Sequence, residues 1–108
     1  MQVPSMSAAS LSASNGHPSL RLYIAGETPG ARRALANRRR LIKALDGALQ
    51  IEVIDILVRP EEAEQAGILA TPTLSDDSIH PPRRLIGDIS NLAEVLAYFG
   101  YDRKDSTR

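Results

Sequence analysis

A proline interrupts the apolar stretch ILATPTL at residues 68–74, and this interruption limits how the second half of the chain can fold. The stretch has the β-branched and aliphatic residues of a buried strand. Pro72, however, has no N–H to donate, and proline is normally excluded from a strand interior. The strand is therefore predicted to start beside the proline, where the missing N–H costs nothing and a cis bond turns the chain. An ordinary trans proline at a strand edge is the alternative.

The spacing of apolar residues along the chain predicts the element order β-α-β-α-β-β-α. Pro60 is typical of the first turn of a short second helix, and Gly67 of its end. Asn91 and Glu94 have the spacing of a capping box at the start of the last helix. The predicted strands cover residues 20–25, 51–58, the stretch that follows Pro72, and 83–87.

The order of these elements indicates the fold class. A first β-α-β unit requires a right-handed crossover, which makes its two strands parallel neighbours. The short loop between the last two strands favours an antiparallel pair. Together they predict an α/β fold of the thioredoxin-like type, with a four-stranded mixed sheet flanked by helices. In that fold a cis-proline commonly precedes the third strand, so we expect Pro72 to be cis.

The composition argues against several kinds of site. The chain of 108 residues has no cysteine, which excludes disulfides, catalysis by a thiolate and metal sites with Cys ligands. His17 and His80 each lie beside a proline, a context typical of solvated loops rather than of a metal ligand or a catalytic base. No phosphate-binding loop or paired-carboxylate pattern is present. The residues therefore indicate a binding module with no enzymatic activity, no cofactor and no metal.

The two ends of the chain differ in composition from its middle. Residues 1–18 are rich in Ser and Ala and have neither the basic start nor the apolar run of a secretory signal. No apolar run approaches the length of a membrane span. We expect a disordered N-terminal tail at 1–18, a domain at 19–101 and a polar tail at 102–108, in a cytoplasmic protein that does not bind membranes.

Charge is balanced over the whole chain, with 13 basic and 13 acidic residues, but it is distributed unevenly. A basic first helix and an acidic second helix suit electrostatically steered docking to another protein. The simpler interpretation is that both helices only present charged side chains to solvent. Nucleic acid is not expected as a partner, because no aromatic residue lies among the cations to stack on bases. Asp76 and Asp77 are predicted to lie in a loop without partners. The basic residues are Arg32, Arg33, Arg38, Arg39, Arg40 and Lys43, and the acidic ones are Glu61, Glu62 and Glu64.

The turn after the first strand contains Thr28, which has two interpretations. The favoured one is that Thr28 caps the first helix, with Pro29 at its first position. The other is a site for glutathione or another thiol ligand, in which Tyr23 or Thr28 acts beside Pro72.

Four segments together resemble the circadian clock protein KaiB family: LYIAGETP, VIDILVRPEEAE, ILATPTL and PPRRLIGDISN. The resemblance runs from about residue 20 to about residue 101. It implies a regulator that binds a KaiC-like ATPase of the RecA type and modulates its phosphorylation, in circadian timing or in a stress response. It also implies a possible dimer or tetramer, and a second, ground-state fold beside the thioredoxin-like form that binds the partner.

The resemblance assigns a partner-binding face by position. Cyanobacterial members tend to have lysine where this chain has Glu52, and they have an acidic C-terminal tail that this chain lacks. Binding of KaiA is therefore doubtful, and we expect a homologue outside the core cyanobacterial oscillator. The assigned residues are Arg33, Gln50, Glu52, Pro60, Glu61, Glu64 and Gln65.

The last helix departs from the family at Tyr98 and Gly100. The clock members have the sequence GLD where this chain has Tyr98-Phe99-Gly100. A glycine inside a helix costs about 1 kcal/mol relative to alanine, and Tyr98 removes most of that cost, while Gly100 lies where the helix can end. We expect this chain to be biased toward the thioredoxin-like form.

Overall fold

The computed structural model describes residues 19–102, so the tail predicted at 1–18 and most of the one predicted at 102–108 lie outside the described residues. The element order is βαβαββα, as the sequence predicts. The strands are β1 (Ser19–Ile24), β2 (Gln50–Asp55), β3 (Thr73–Asp76) and β4 (Arg83–Ile86), and the helices are α1 (Pro29–Ala44), α2 (Pro60–Ala66) and α3 (Leu92–Phe99).

The four strands form one mixed sheet in the order β2-β1-β3-β4. β1 is parallel to β2 and antiparallel to β3, and β3 is antiparallel to β4, which confirms the predicted sheet. Pro72 lies just before β3, and the peptide bond between Thr71 and Pro72 is cis. The carbonyl of Pro72 accepts the N–H of Gly87 at 2.8 Å, which continues the pairing of β3 with β4.

One face of the sheet packs against α1 and α3 to form the main core. Successive residues of a strand point to opposite faces, so Leu20, Leu22 and Ile24 share this face, and all three are buried. They belong to a cluster that includes Leu41 of α1 and Phe99 of α3. Burying each such side chain contributes about 1.5–3 kcal/mol to folding before entropy is counted.

The ends of the elements follow local chemistry that is visible in the sequence. The hydroxyl of Thr28 accepts the N–H of Ala31 at 3.1 Å and so caps α1, and the side chain of Asn91 accepts the N–H of Glu94 at 3.1 Å and so caps α3. α2 and α3 end at Gly67 and Gly100, whose φ values of 72° and 83° lie in the left-handed region that favours glycine.

The second strand is shorter than predicted. It ends at Asp55 rather than continuing to residue 58. The Asp55 carboxylate accepts the N–H groups of Gly26 and Leu57, each at 3.0 Å, and these hydrogen bonds turn the chain out of the sheet. Leu57 and Val58 are consequently exposed although their sequence is strand-like. A further cis bond, between His80 and Pro81, was not predicted.

A polar network on the other face of the sheet joins β1, β3 and β4 around Asp77. The Tyr23 hydroxyl donates to Asp77 Oδ2 at 2.9 Å, and the Ser75 hydroxyl donates to Asp77 Oδ1 at 2.5 Å. Arg84 donates to Ser75 Oγ at 2.9 Å and to Asp77 Oδ1 at 3.2 Å. The prediction that Asp77 has no partner is therefore wrong, because its partners come from three strands that only the sheet brings together.

Burial and hydrogen bonding act on the pKa of Asp77 in opposite directions. Burial raises the pKa, but the hydrogen bonds from Ser75, Tyr23 and Arg84 together outweigh burial and leave the pKa below its usual value. The pKa of Tyr23 is raised, chiefly by burial and also by the neighbouring Asp77 carboxylate. Asp77 is therefore an ionised carboxylate that the folded protein stabilises.

Within residues 19–102, no helix is both long and apolar enough to span a membrane. The same residues contain no cluster of three or more His, Asp or Glu side chains with the geometry of a metal site.

Tyr98 connects α3 to the edge strand β4. Its hydroxyl donates to the carbonyl oxygen of Arg84 at 2.7 Å. The Arg83 guanidinium lies 6.0 Å from the centre of the Tyr98 ring and donates to the Tyr98 carbonyl at 3.3 Å. Tyr98 thus does more for this fold than replace a helix-weakening glycine, since it also binds the helix to the sheet.

We expect Asp77→Asn to lower the free energy of unfolding at pH 7 by about 1–3 kcal/mol, because it removes a charged acceptor from the network. The folded-state pKa of Asp77 lies below the unfolded value near 3.8. The stability that the carboxylate contributes is therefore complete above that value and is lost as the pH falls through the lower folded-state pKa. Urea unfolding of the wild type between pH 7 and pH 2 should show this loss, and Asp77→Asn should show less of it.

The control for Asp77 is Asp46→Asn, which alters an exposed carboxylate with no side-chain hydrogen bond among the described residues. Asp77→Asn should show less acid dependence than this variant, which removes the same charge from outside the network. Equal acid dependence for Asp77→Asn and the wild type would contradict the role assigned to the network.

We expect Tyr98→Phe to lower the free energy of unfolding by about 1 kcal/mol, because it removes the hydrogen bond to Arg84 while keeping the ring. Tyr101→Phe is the matched control. Tyr101 stacks on Phe99, and its hydroxyl has no hydrogen-bond partner among the described residues. Urea unfolding and amide hydrogen exchange of α3 measure the effect, and equal losses in the two variants would show that the hydrogen bond is unimportant.

Candidate partner-binding surface

The edge strand β2 and the helix α2 form one continuous surface. β2 pairs only with β1 among the described strands, so its outer edge is open. Gln50 and Glu52 are exposed and alternate with the buried Ile51, which packs in the main core. They therefore lie on the opposite face of the sheet, the face that α2 covers.

Helix α2 presents most of its polar side chains to solvent. It begins at Pro60, and Glu61 and Glu62 lie in its first turn, where carboxylates interact favourably with the positive end of the helix dipole. Ala63 is its buried residue. The surface formed by β2 and α2, here named the β2–α2 surface, consists of Gln50, Glu52, Pro60, Glu61, Glu64 and Gln65, all of which are exposed.

Two arginines hold Glu52 in this surface. Arg21 Nε lies 3.4 Å from Glu52 Oε1, and Arg59 Nη2 lies 3.4 Å from Glu52 Oε2. Arg59 also pairs with Glu62 of α2, so one guanidinium connects the strand to the helix. Sequence reasoning missed both arginines. Arg21 could have been predicted from the sequence, because a parallel pairing of β1 and β2 places Arg21 directly beside Glu52.

The remaining acidic residues of the surface carry uncompensated charge. Glu61 and Glu64 make no ion pair within residues 19–102, so the outer side of α2 is negative. Gln65 lies beside it and lines a cavity of about 320 Å³ with Arg21, Asp77 and Arg84.

Three large apolar side chains flank α2 in the sequence and are exposed. Leu57 and Val58 precede the helix and are 70% and 72% exposed, and Leu69 follows it at 97%. Sequence reasoning missed them because it assigned Leu57 and Val58 to a strand and treated Leu69 as part of a buried stretch. Exposed apolar side chains that lie together mark surfaces that a partner covers, so these three residues, which flank α2 in the chain, are candidates for contact with a partner.

Arg33 does not belong to the β2–α2 surface. It lies on α1, which covers the other face of the sheet, and it lines a cavity with Pro72 and Asp88. The structure thus brings together six of the seven residues that the resemblance assigns to the partner face and separates the seventh. The packing of α1 decides this, since the residues Ala31, Ala34 and Leu41 fix which side of the helix is buried.

The cations of α1 make their contacts with backbone oxygens rather than with carboxylates. Arg32, Arg38 and Arg40 donate to the carbonyls of residues 27, 51 and 90. No residue of α1 takes part in an ion pair within 4.0 Å among the described residues. The faces of the domain covered by α1 and α2 therefore carry opposite charge.

The side chains considered for a thiol ligand are engaged elsewhere. Tyr23 is fully buried, and its hydroxyl donates to Asp77. Thr28 accepts the N–H of Ala31 as the cap of α1, which is the favoured interpretation from the sequence.

Comparison with known proteins gives the same family as the sequence motifs. The family model described as KaiB domain matches residues 21–100. Curated relatives with the description "Circadian clock oscillator protein KaiB" include those of Prochlorococcus marinus (strain NATL2A), Parasynechococcus marenigrum (strain WH8102) and Thermosynechococcus vestitus. Each is 46% identical over 78 residues, which cover 71% of this chain and 73%, 75% and 72% of the respective relative.

Solved structures similar to this chain include thioredoxins. Chloroplastic thioredoxin z has a TM-score of 0.66 at 16% identity, over 89% of this chain and 88% of its own. Thioredoxin 1 of Thermosipho africanus has a TM-score of 0.64 at 18% identity, over 83% of this chain and 99% of its own. At this level of identity the likeness concerns the fold, and it confirms the predicted thioredoxin-like arrangement.

We expect the ion pair between Arg59 and Glu62 to make a small, salt-dependent contribution to stability, since both side chains are partly exposed. A double-mutant cycle with Arg59→Gln and Glu62→Gln, followed by urea unfolding, measures this coupling. The coupling should shrink in 1 M NaCl, because salt screens exposed charges. Arg39→Gln, which removes a cation without a carboxylate partner among the described residues, should leave stability unchanged. A coupling of zero at low salt would show that Arg59 does not fasten α2 to β2.

Proposed function

This chain belongs to the KaiB family, and we propose that it is a non-enzymatic cytoplasmic regulator that binds a KaiC-like ATPase through the β2–α2 surface. The observation that carries the proposal is the extent of the family match. Residues 21–100 include nearly every residue of the four strands and all three helices, so the match concerns the whole fold rather than one motif.

The chemistry of the β2–α2 surface supports a protein as the partner. Glu61 and Glu64 supply uncompensated negative charge, and Leu57, Val58 and Leu69 supply exposed apolar area beside it. Complementary charge steers encounter, whereas apolar side chains contribute to the buried core of an interface. We infer that the ATPase presents a basic surface with an apolar pocket to this side of the domain.

The surroundings of Glu52 support a partner outside the core cyanobacterial oscillator. Two arginines, Arg21 and Arg59, compensate its charge within the chain. The negative residue at a position where cyanobacterial members tend to have lysine is thus part of a local ion-pair group. We propose a system without KaiA, in which this protein modulates the phosphorylation of the ATPase for timing or in a stress response.

We further propose that the thioredoxin-like form is the form that binds the ATPase. Tyr98 supports this form through its hydrogen bond to the carbonyl of Arg84. A dimer or tetramer of another fold would be the resting state, and the bias toward the thioredoxin-like form would make that state a minor one.

The binding test uses a purified KaiC homologue and the full chain, mixed with ATP or with ADP and separated by size exclusion. We expect a complex whose amount depends on the nucleotide, and a changed phosphorylation state of the ATPase on gels. The double variant Glu61→Lys with Glu64→Lys should bind at least about tenfold more weakly, a loss of about 1.4 kcal/mol. The double variant Glu94→Lys with Asp102→Lys changes the charge equally at exposed positions on and after α3, which packs on the other face of the sheet, and it should bind as the wild type does.

The possible outcomes distinguish a wrong function from a wrong choice of binding surface. No complex with either nucleotide, with the protein folded, would overturn the proposed function. A nucleotide-dependent complex that both double variants form equally well would support the function and overturn the assignment of the β2–α2 surface.

A further inference from the structure

The larger of the two cavities described for residues 19–102 lies on the side of α1, away from the β2–α2 surface. Its volume is about 510 Å³, within the range of small-ligand sites. Helix α1 forms one wall, and the residues around Pro72 and those that follow β4 form the other. The residues of the cavity that bear on its chemistry are Gly30, Arg33, Asn37, Asp88 and Ser90.

Asn37 is a buried polar residue of this cavity, with only 8% of its surface exposed. Arg40 Nη1 donates to Asn37 Oδ1 at 2.9 Å. A guanidinium can only donate, so the atom that faces it must be the oxygen of the amide. The Nδ2 group of Asn37 then has two N–H donors and no hydrogen-bond partner among residues 19–102. Buried donors are nearly always satisfied in proteins, so the free donors point to a hydrogen-bond acceptor in the cavity.

Two opposite charges lie at the same cavity. Arg33 makes no ion pair within 4.0 Å among the described residues. The Asp88 carboxylate is exposed, accepts the N–H of Ser90 at 2.9 Å through Oδ1, and makes no ion pair within 4.0 Å among the described residues. Hydrogen bonds from Ser90, and after them the charge of Arg33, lower the pKa of Asp88, so the carboxylate is ionised at neutral pH.

From this arrangement we propose that the cavity binds a small zwitterion of the amino-acid or dipeptide class. The ligand carboxylate lies against Arg33 and the Nδ2 group of Asn37, and its ammonium group lies against Asp88. Gly30 and Ala34 leave room at the helix for a short aliphatic side chain. This site is separate from the ATPase-binding surface, so the proposal goes beyond the proposed function and does not depend on it.

The test is a titration of the full, isotope-labelled chain with L-alanyl-L-alanine, followed by ¹H–¹⁵N spectra. We expect saturable shifts of the Asn37 side-chain amide and of the backbone amides of Gly30 and Gly87, with a Kd of about 1 mM or below. Alanyl-alanine amide, which lacks the carboxylate, and N-acetyl-alanyl-alanine, which lacks the ammonium group, should each bind at least about tenfold more weakly.

Three variants complete the experiment. Asn37→Asp keeps the acceptor for Arg40 but removes the donors, and Arg33→Gln removes an exposed cation without touching the core; each should weaken binding at least about tenfold. Arg39→Gln, on the same helix but away from the cavity, should bind the dipeptide as the wild type does. If Asn37→Asp does not fold, the dipeptide binding measured for Arg33→Gln decides whether the proposal holds.

Three results would overturn the proposal. One is no saturable shift up to about 10 mM dipeptide, which would mean that the cavity holds only water. The second is equal binding by Arg33→Gln and Arg39→Gln. The third is equal binding of the N-acetylated dipeptide, which would assign the site to a carboxylate without an ammonium group. None of these results bears on the nucleotide-dependent complex with the ATPase.

Discussion

The central position of β1 determines how the rest of the domain is arranged. β1 lies between β2 and β3, and side chains on both of its faces make contacts that organise the fold. On one face Leu20, Leu22 and Ile24 hold α1 and α3 against the sheet. On the other face Arg21 is paired with Glu52, and Tyr23 donates to Asp77. A single strand of six residues thus takes part in the main core, in the ion-pair group of the β2–α2 surface and in the polar network around Asp77.

The two faces of the sheet have different chemical roles. The face covered by α2 is negative, and exposed apolar residues precede and follow α2 in the chain, which suits a protein partner with a basic surface. The face covered by α1 is positive and contains the larger cavity, with Asn37 beside it. Because α1 and α2 lie on opposite faces, a partner bound to the β2–α2 surface leaves this cavity open. The proposed binding of a small zwitterion and the proposed binding of an ATPase are therefore compatible in one small domain.

Local chemistry made much of the fold predictable. Pro72 required a strand that begins after it, Thr28 and Asn91 marked the starts of helices, and Gly67 marked the end of one. Each of these effects acts within a few residues of the chain, through a missing N–H, a capping oxygen or a positive φ. The positions of the six residues of the β2–α2 surface could also be predicted from the sequence. The family resemblance selects these residues, and they lie on two consecutive elements of the chain.

The sequence by itself determined the order of the elements, their caps and the side of each strand that enters the core, because periodicity and capping depend on near neighbours. Only the tertiary structure decided that Asp77 is held by three strands and that Arg33 lies away from Glu52. It also decided that Asn37 has free donors beside a cavity. These features depend on strand register and on the rotation of α1 about its axis. Both are set by packing between residues far apart in the chain, and no local pattern records that packing.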